Sequence, residues 1–129
     1  MRLLLDTHPF LWLHGDRQRV PHLISLLEEG NDGLVSAATV WEIAIKYPLG
    51  KLTLPETPDT FIPSRIRASG LTAVPVTHAH ALAVSELPTF DDHRDPFDRL
   101  LIATARVETI PIVSVNPAFP RYDVELMRP

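Results

Sequence analysis

The chain alternates short apolar runs with longer stretches of helical periodicity. Leu3-Leu4-Leu5 is the first run, and Asp6-Thr7-His8-Pro9 ends it at once. Its brevity and the proline argue for a buried strand running through a loop into a helix that turns Phe10, Leu11 and Leu13 inward. A second helix follows Pro21, apolar at Leu23, Ile24, Leu26 and Leu27, and Gly30-Asn31-Asp32-Gly33 stops it. Leu34-Val35 reads as a second strand ended by Ser36. From Ala37 to Tyr47, Val40, Trp41, Ile43, Ala44 and Ile45 surround the helix almost completely, which predicts deep packing with Trp41 in the core. Trp12 reads as a core residue for the same reason. Leu49 to Pro55 is a turn and extended link, and Pro58 to Ser69 a helix interrupted near Pro63, with Arg65 and Arg67 at the surface. Leu71 to Val76 supplies a third strand, and Thr77 caps a helix reaching Leu87. Pro88 to Arg94 is a polar loop.

The clearest helix runs from Pro96 to Glu108. Asp95 is placed to be its N-cap, and Pro96 fits the first helical position, where a missing N–H costs nothing. Asp98, Leu101, Ile102 and Ala105 then share one face, so a carboxylate heads an otherwise core-facing stripe. Burying that charge is unfavourable without a partner. Asp95, Arg99 and Arg106 lie on the opposite, solvated face. Ile110 to Ser114 is a fourth strand, Asn116-Pro117 starts a turn or short helix, and Asp123 to Leu126 is a weak edge strand. Alternating strands and helices predict an α/β fold in three layers, a central mostly parallel sheet of four to five strands with helices on both faces.

Composition narrows the class. The 129 residues suit one domain over the whole chain, with 45% hydrophobic and 22% charged residues, as in a soluble globular protein. Thirteen prolines punctuate elements, and the absence of cysteine removes disulfides, thiolate zinc sites and thiol nucleophiles. A net charge of -4 argues against indiscriminate attraction to nucleic acid or membrane, although a local basic groove is compatible with it. No apolar run approaches a membrane span, and Met1 to Leu5 is too short for a signal peptide, so a cytoplasmic protein is expected.

In parallel α/β folds, sites form beyond the carboxyl ends of strands. Asp6, Ser36 and Ser114 occupy those ends, and Glu42 and Asp98 lie in the first turns of helices leaving the same side. Clustered carboxylates raise one another's pKa unless a cation intervenes, and oxygen ligands on an open rim suit Mg²⁺ or Mn²⁺. Each acid also has an ordinary structural reading. Glu42 follows Thr39 by three, as in a capping box, and precedes Lys46 by four, the favourable order for an ion pair. Asp6 fits a turn or cap, Asp98 a helix-dipole position, and Asp95 a cap that pairs with Arg99. His78 and His80 point to different helix faces, and His93 reads as a loop histidine near the rim. Gly50-Lys51 lacks the flanking residues of a phosphate loop.

Three blocks then carry a resemblance: Leu4 to His8; Ser36 to Lys46 with Leu49-Gly50-Lys51-Leu52; and His93 to Ala103. In this order, spanning nearly the full chain, they closely resemble the PIN-domain family in its VapC-type toxin branch. The resemblance implies a PIN-like fold and a metal-dependent ribonuclease, the toxin of a toxin–antitoxin pair, typically a homodimer neutralised by a small antitoxin. Asp6, Glu42 and Asp98 match the family's metal-binding acids, and Thr7 and Ser114 its small hydroxyl residues around the site. A fourth family acid falls where this chain has Asn116, which supplies an oxygen but no charge and also reads as an N-cap before Pro117. The expected mechanism is Mg²⁺-activated water attacking an RNA phosphate, with Arg94, Arg99 and Lys46 as the nearest phosphate contacts. The rivals are a PIN-like RNA- or antitoxin-binding protein without catalysis, favoured by Asn116, and an unrelated acidic-site α/β protein. A phosphatase of the relevant kind wants an aspartate where His8 stands, and the acidic pair and late lysine of a receiver domain are missing.

Overall fold

The computed structural model describes residues 1–129. Strand β1 (Arg2–Leu5) enters helix α1 (Thr7–Leu13); a 3-10 turn at Arg17–Arg19 leads to α2 (Pro21–Glu28) and β2 (Asp32–Ser36). Then come α3 (Ala37–Lys46), α4 (Pro58–Ala68), β3 (Thr72–Val74), α5 (His78–Ala83), α6 (Pro96–Glu108), β4 (Ile112–Val113) and β5 (Leu126–Met127). The five strands form one sheet in the order β3-β2-β1-β4-β5, and every pairing is parallel.

Strand alternation divides the core in two. Leu3, Leu5, Val35 and Val113 face Phe10, Leu13, Leu23, Ile43 and Phe61 from α1 to α4. Leu4, Leu34 and Ile112 face the other way, onto Leu101, Ile102 and Ala105 of α6 and onto Phe119. The register pairs Leu4 with both Leu34 and Ile112, so each face stays apolar across three strands. A fully buried side chain of this size contributes roughly 1.5–3 kcal/mol through its removal from water. The expected three-layer α/β architecture is therefore present, with the sheet at the five-strand end of the expected range.

Several local expectations change. Asp32 and Gly33 belong to β2 rather than to a helix stop, because they pair with Arg2 and Leu3 of β1. Helix α4 continues through Pro63; the carbonyl left without a donor is that of Asp59, and both residues face solvent. Strand β5 lies at Leu126–Met127, past the predicted edge. Helix α3 is not packed all round: Ala38, Thr39, Glu42 and Ile43 are buried, while Trp41 and Ile45 are 54% and 38% exposed. An acid has taken part of the inward face, and the aromatic ring stands outside it, edge-on to Phe97. Trp12 is half-buried, with the Arg19 guanidinium 5.0 Å from its ring centre.

The topology locates a crevice. The chain leaves β1 toward β2 and β3, then returns to place β4 and β5 on the other flank. Strand order reverses between β1 and β4, the switch point where such sheets open a cleft at their carboxyl ends. Asp6 follows one of these strands and Ser114 the other.

His14 at the end of α1 joins two layers. Its Nδ1 donates to the Phe10 carbonyl at 2.9 Å, and its Nε2 accepts from the Ser69 hydroxyl at 2.7 Å, which requires the neutral ring. Burial, with Arg65 and Arg17 nearby, holds its pKa below the usual 6.5. The unfolded chain therefore takes up the proton first as pH falls. The stability that His14 contributes is complete above the unfolded value and is lost as pH drops through the folded one. Denaturant unfolding at about pH 7.5 and about pH 5.5 tests this: the wild type loses stability on acidification more steeply than His14→Gln.

Candidate functional site

Three carboxylates reach the rim of this crevice from separate elements. Asp6 caps α1 and accepts its first amide, Thr7 N–H, at 2.8 Å. Glu42 sits on the inward face of α3, 8% exposed. Asp98 lies in the first turn of α6, where Asp95 is the N-cap and accepts the Asp98 amide at 3.0 Å. The helical phase that separated Asp95 from Asp98 is thus realised, with one aspartate capping and the other turned inward.

A single hydrogen-bond chain links all three acids. The Thr7 hydroxyl donates to Glu42 Oε1 at 2.5 Å while its amide holds Asp6. Ser114 Oγ donates to Asp6 Oδ2 at 2.7 Å and accepts the Asn116 amide at 3.0 Å. The Asn116 side chain then donates to Asp98 Oδ2 at 3.1 Å. Its own oxygen accepts Ala118 N–H at 2.9 Å, and since a backbone amide can only donate, this orientation of the side-chain amide follows. Asn116 closes a side-chain turn over Pro117 and is not a helix N-cap, because the short 3-10 helix starts only at Phe119, with Ala118 before it; its amide offers Asp98 a donor. The hydroxyls of Thr7 and Ser114 are likewise committed to carboxylates.

Beyond Asp98 the chain continues through a residue that the sequence reading placed in a loop. His93 is only 9% exposed, with Nε2 3.0 Å from Asp98 Oδ2 and Nδ1 2.7 Å from the Tyr122 hydroxyl. Arg99 Nη1 stands 3.1 Å from that hydroxyl and can only donate. Tyr122 accepts from Arg99, and because a carboxylate oxygen accepts, His93 donates its Nε2–H to Asp98. Arg99 pairs with Tyr122 and the Pro88 carbonyl, not with Asp95, and Arg94 pairs with Asp91 out in solvent. Arg99 is thus held by Tyr122 and the Pro88 carbonyl, while Arg94 is paired only with an exposed aspartate and stays largely exposed itself. His93 had one signal in the sequence, its place just ahead of the Asp95-Pro96 helix start; Tyr122 had none.

The electrostatics follow from burial. Desolvation is the largest influence on Asp6 and raises its pKa; Ser114 and Thr7 oppose the rise, and Glu42 adds to it. Asp98 is also raised, first by burial and then by Asp95 and Asp6, against the hydrogen bond from His93. Lys46 bonds Glu42 Oε2 one helical turn away, and Glu42, Asp95 and Asp98 all favour its charged form over the opposing effect of burial. The expected Glu42–Lys46 pair is present; the capping box with Thr39 is not, since Ser36 caps α3.

This donor set can be tested against a divalent cation. The oxygens are hard, partly desolvated and mutually repulsive, which suits a small ion, and Asp98 Oδ1 carries no protein hydrogen bond. No three Asp, Glu or His side chains converge into a closed cage, because Glu42 is drawn to Lys46. The chemistry fits a cation, with a lysine ammonium as the positive charge among the acids.

Comparison with known proteins places this geometry. Over 50 residues, 39% of the chain, the sequence is 50% identical to Ribonuclease VapC16 of Mycobacterium tuberculosis, a match that covers 36% of that protein's length. Two solved structures superpose with TM-scores of 0.73: VapBC2 from Rickettsia felis bound to a promoter DNA fragment, 17% identical, and DNA-bound VapBC from Salmonella typhimurium, 18% identical. Each match covers 99% of this chain and 98% of the other. FitAcB from Neisseria gonorrhoeae follows at 0.65 and 21% identity, over 98% and 96%. These structures share the fold, and the PIN domain family model matches residues 3–125, nearly the whole length. With its acids gathered at the strand-order switch of a five-stranded parallel sheet, the chain belongs to the PIN domain family.

Proposed function

We propose that the protein is a metal-dependent endoribonuclease, the toxin of a toxin–antitoxin pair, hydrolysing RNA phosphodiester bonds. The observation that carries this reading is the hydrogen-bond chain joining Glu42, Asp6 and Asp98 at the switch-point crevice, with two of the acids desolvated. The name of the mycobacterial relative supports the ribonuclease assignment. The toxin–antitoxin complexes among the structural neighbours support the partner.

Asp6, Asp98 and Glu42 are the residues that would hold Mg²⁺, or Mn²⁺ in its place. When bound, such an ion acidifies a water and stabilises charge on the phosphate. The chain's own contribution is positional. Thr7 and Ser114 orient the carboxylates of Glu42 and Asp6, and His93 and Asn116 engage Asp98 through Oδ2, leaving Oδ1 without a protein hydrogen bond. Lys46 balances Glu42 and stands ready for a phosphate. The exposed α3 face with Trp41, Ile45 and the neighbouring Leu49 supports docking of a protein, whether a second copy in a homodimer or a small antitoxin.

A second reading, a PIN-like binding protein without nuclease activity, draws on Asn116, whose oxygen is turned to Ala118 and away from the acids. Cleavage of RNA with and without Mg²⁺ separates the two. Under the nuclease reading, chelation stops cleavage, and Asp98→Asn reduces it by at least about a hundredfold, since metal-held charge is worth several kcal/mol. Mg²⁺ also raises the melting temperature of the wild type but not of Asp98→Asn, since ligands that bind only the native state stabilise it by mass action. Metal-independent binding of RNA without cleavage would favour the second reading.

The His93 link has its own consequence. His93→Phe lowers Mn²⁺ affinity by about 10–100-fold, the usual cost of losing a hydrogen bond behind a metal ligand. His93→Gln, which keeps a donor near the Nε2 position, recovers part of that loss. Titration calorimetry with Mn²⁺ reads both, and equal affinities for the Phe and Gln variants would reduce His93 to a packing residue.

A further inference from the structure

The acidic rim does not end at Asp98 and Asp6. Beyond the carboxyl ends of β4 and β5 lies a cleft of about 720 Å³, whose lining includes Ser114, Asn116, Arg19, His22 and Arg128. Ser114 and Asn116 are the residues that hold Asp6 and Asp98, so the cleft begins where the acids end. Its lining contains no Asp or Glu. On a chain of net charge -4, this local reversal of sign is the feature that a polyanion would find.

The walls are tied to each other. The Leu23 amide of α2 donates to the Pro129 carbonyl past β5 at 2.6 Å, fixing the helix start that carries His22 against the strand end that carries Arg128. Arg19 is preset: Asp16 grips its Nε at 2.7 Å, and the guanidinium lies over Trp12. Its side chain is still 57% exposed, and Arg128 is exposed with no ion-pair partner. Trp12 in turn lies 5.6 Å, ring centre to ring centre, from His8, one turn back along α1. Two rings and a cation therefore run from His8 through Trp12 to Arg19 at the cleft wall. That combination suits the backbone and bases of a single nucleic-acid strand.

Resting on the ribonuclease reading above, we propose that this cleft holds the single-stranded RNA flanking the scissile phosphate, with its phosphates on Arg19, Arg128 and His22. Arg19 comes from the 3-10 turn ahead of α2 and Arg128 from the end of β5, and only the sheet order brings them together at the rim.

The test uses full-length Asp98→Asn protein and a fluorescent single-stranded RNA of about twelve nucleotides, within the usual span of such sites. Adding Arg19→Ala and Arg128→Ala weakens binding by about tenfold or more, as loss of two charge-assisted contacts requires. It also flattens the plot of log affinity against log salt by about 1.4, the slope expected for two phosphates of a single strand. Arg19→Lys with Arg128→Lys restores most of the slope, which excludes a folding defect, and Arg2→Ala at the opposite, amino end of β1 changes neither quantity. Unchanged affinity and slope in the double alanine variant, while wild-type protein cleaves the same RNA, would overturn the cleft and leave the ribonuclease reading standing. Absence of both binding and wild-type cleavage would overturn the two together. Binding of polyglutamate in place of RNA, lost in the double alanine variant, would assign the cleft to an acidic protein segment and overturn the proposal.

Discussion

Three carboxylates on one partly dry rim repel one another, and the architecture around them answers that repulsion. Burial and mutual charge push Asp6 and Asp98 toward their neutral forms. Each is met by aimed donors: Thr7 and Ser114 on Asp6, Asn116 and His93 on Asp98, Thr7 and Lys46 on Glu42. No buried side-chain polar atom in the chain lacks a partner, so the polar network is complete as it stands. Both hydrogen bonds to Asp98 fall on Oδ2, which leaves Oδ1 outside the network.

The sheet order makes the network possible. Strands β1 and β4 are neighbours although more than a hundred positions separate Asp6 from Ser114, and the reversal of order between them leaves a crevice instead of a covering helix. Apolar alternation on β1 secures this arrangement, because Leu4 and Leu5 must each find an apolar partner on opposite faces of β4. Core packing and site geometry are therefore one constraint. A slip of one residue in β1 would send Leu4 and Leu5 to the wrong layers and turn Asp6 away from Ser114.

Charge is distributed along the rim with the same economy. The acids come from the end of β1, the middle of α3 and the first turn of α6, Lys46 sits among them, and Arg19 of the 3-10 turn and Arg128 past β5 lie to one side. Negative and positive ground are thus adjacent. Trp41 and Ile45 of α3 are turned outward, away from these charges.

Much of this was legible in the residues themselves. Alternating short apolar runs and helical periods determined the α/β class, since burial on both faces demands such runs. Helical phase alone distinguished Asp98 from the capping Asp95. The spacing of Glu42 and Lys46 foretold their pair. These are local properties, set within a turn or a strand. What only the tertiary structure decided depends on residues far apart in sequence: His93 buried between Asp98 and Tyr122, Arg99 drawn to Tyr122, Trp41 left outside because Glu42 faces in, and Arg19 and Arg128 sharing a cleft. Those partners meet because β4 and β5 pack on the far flank of β1, and periodicity specifies which face of a strand is apolar but not which strand lies beside it.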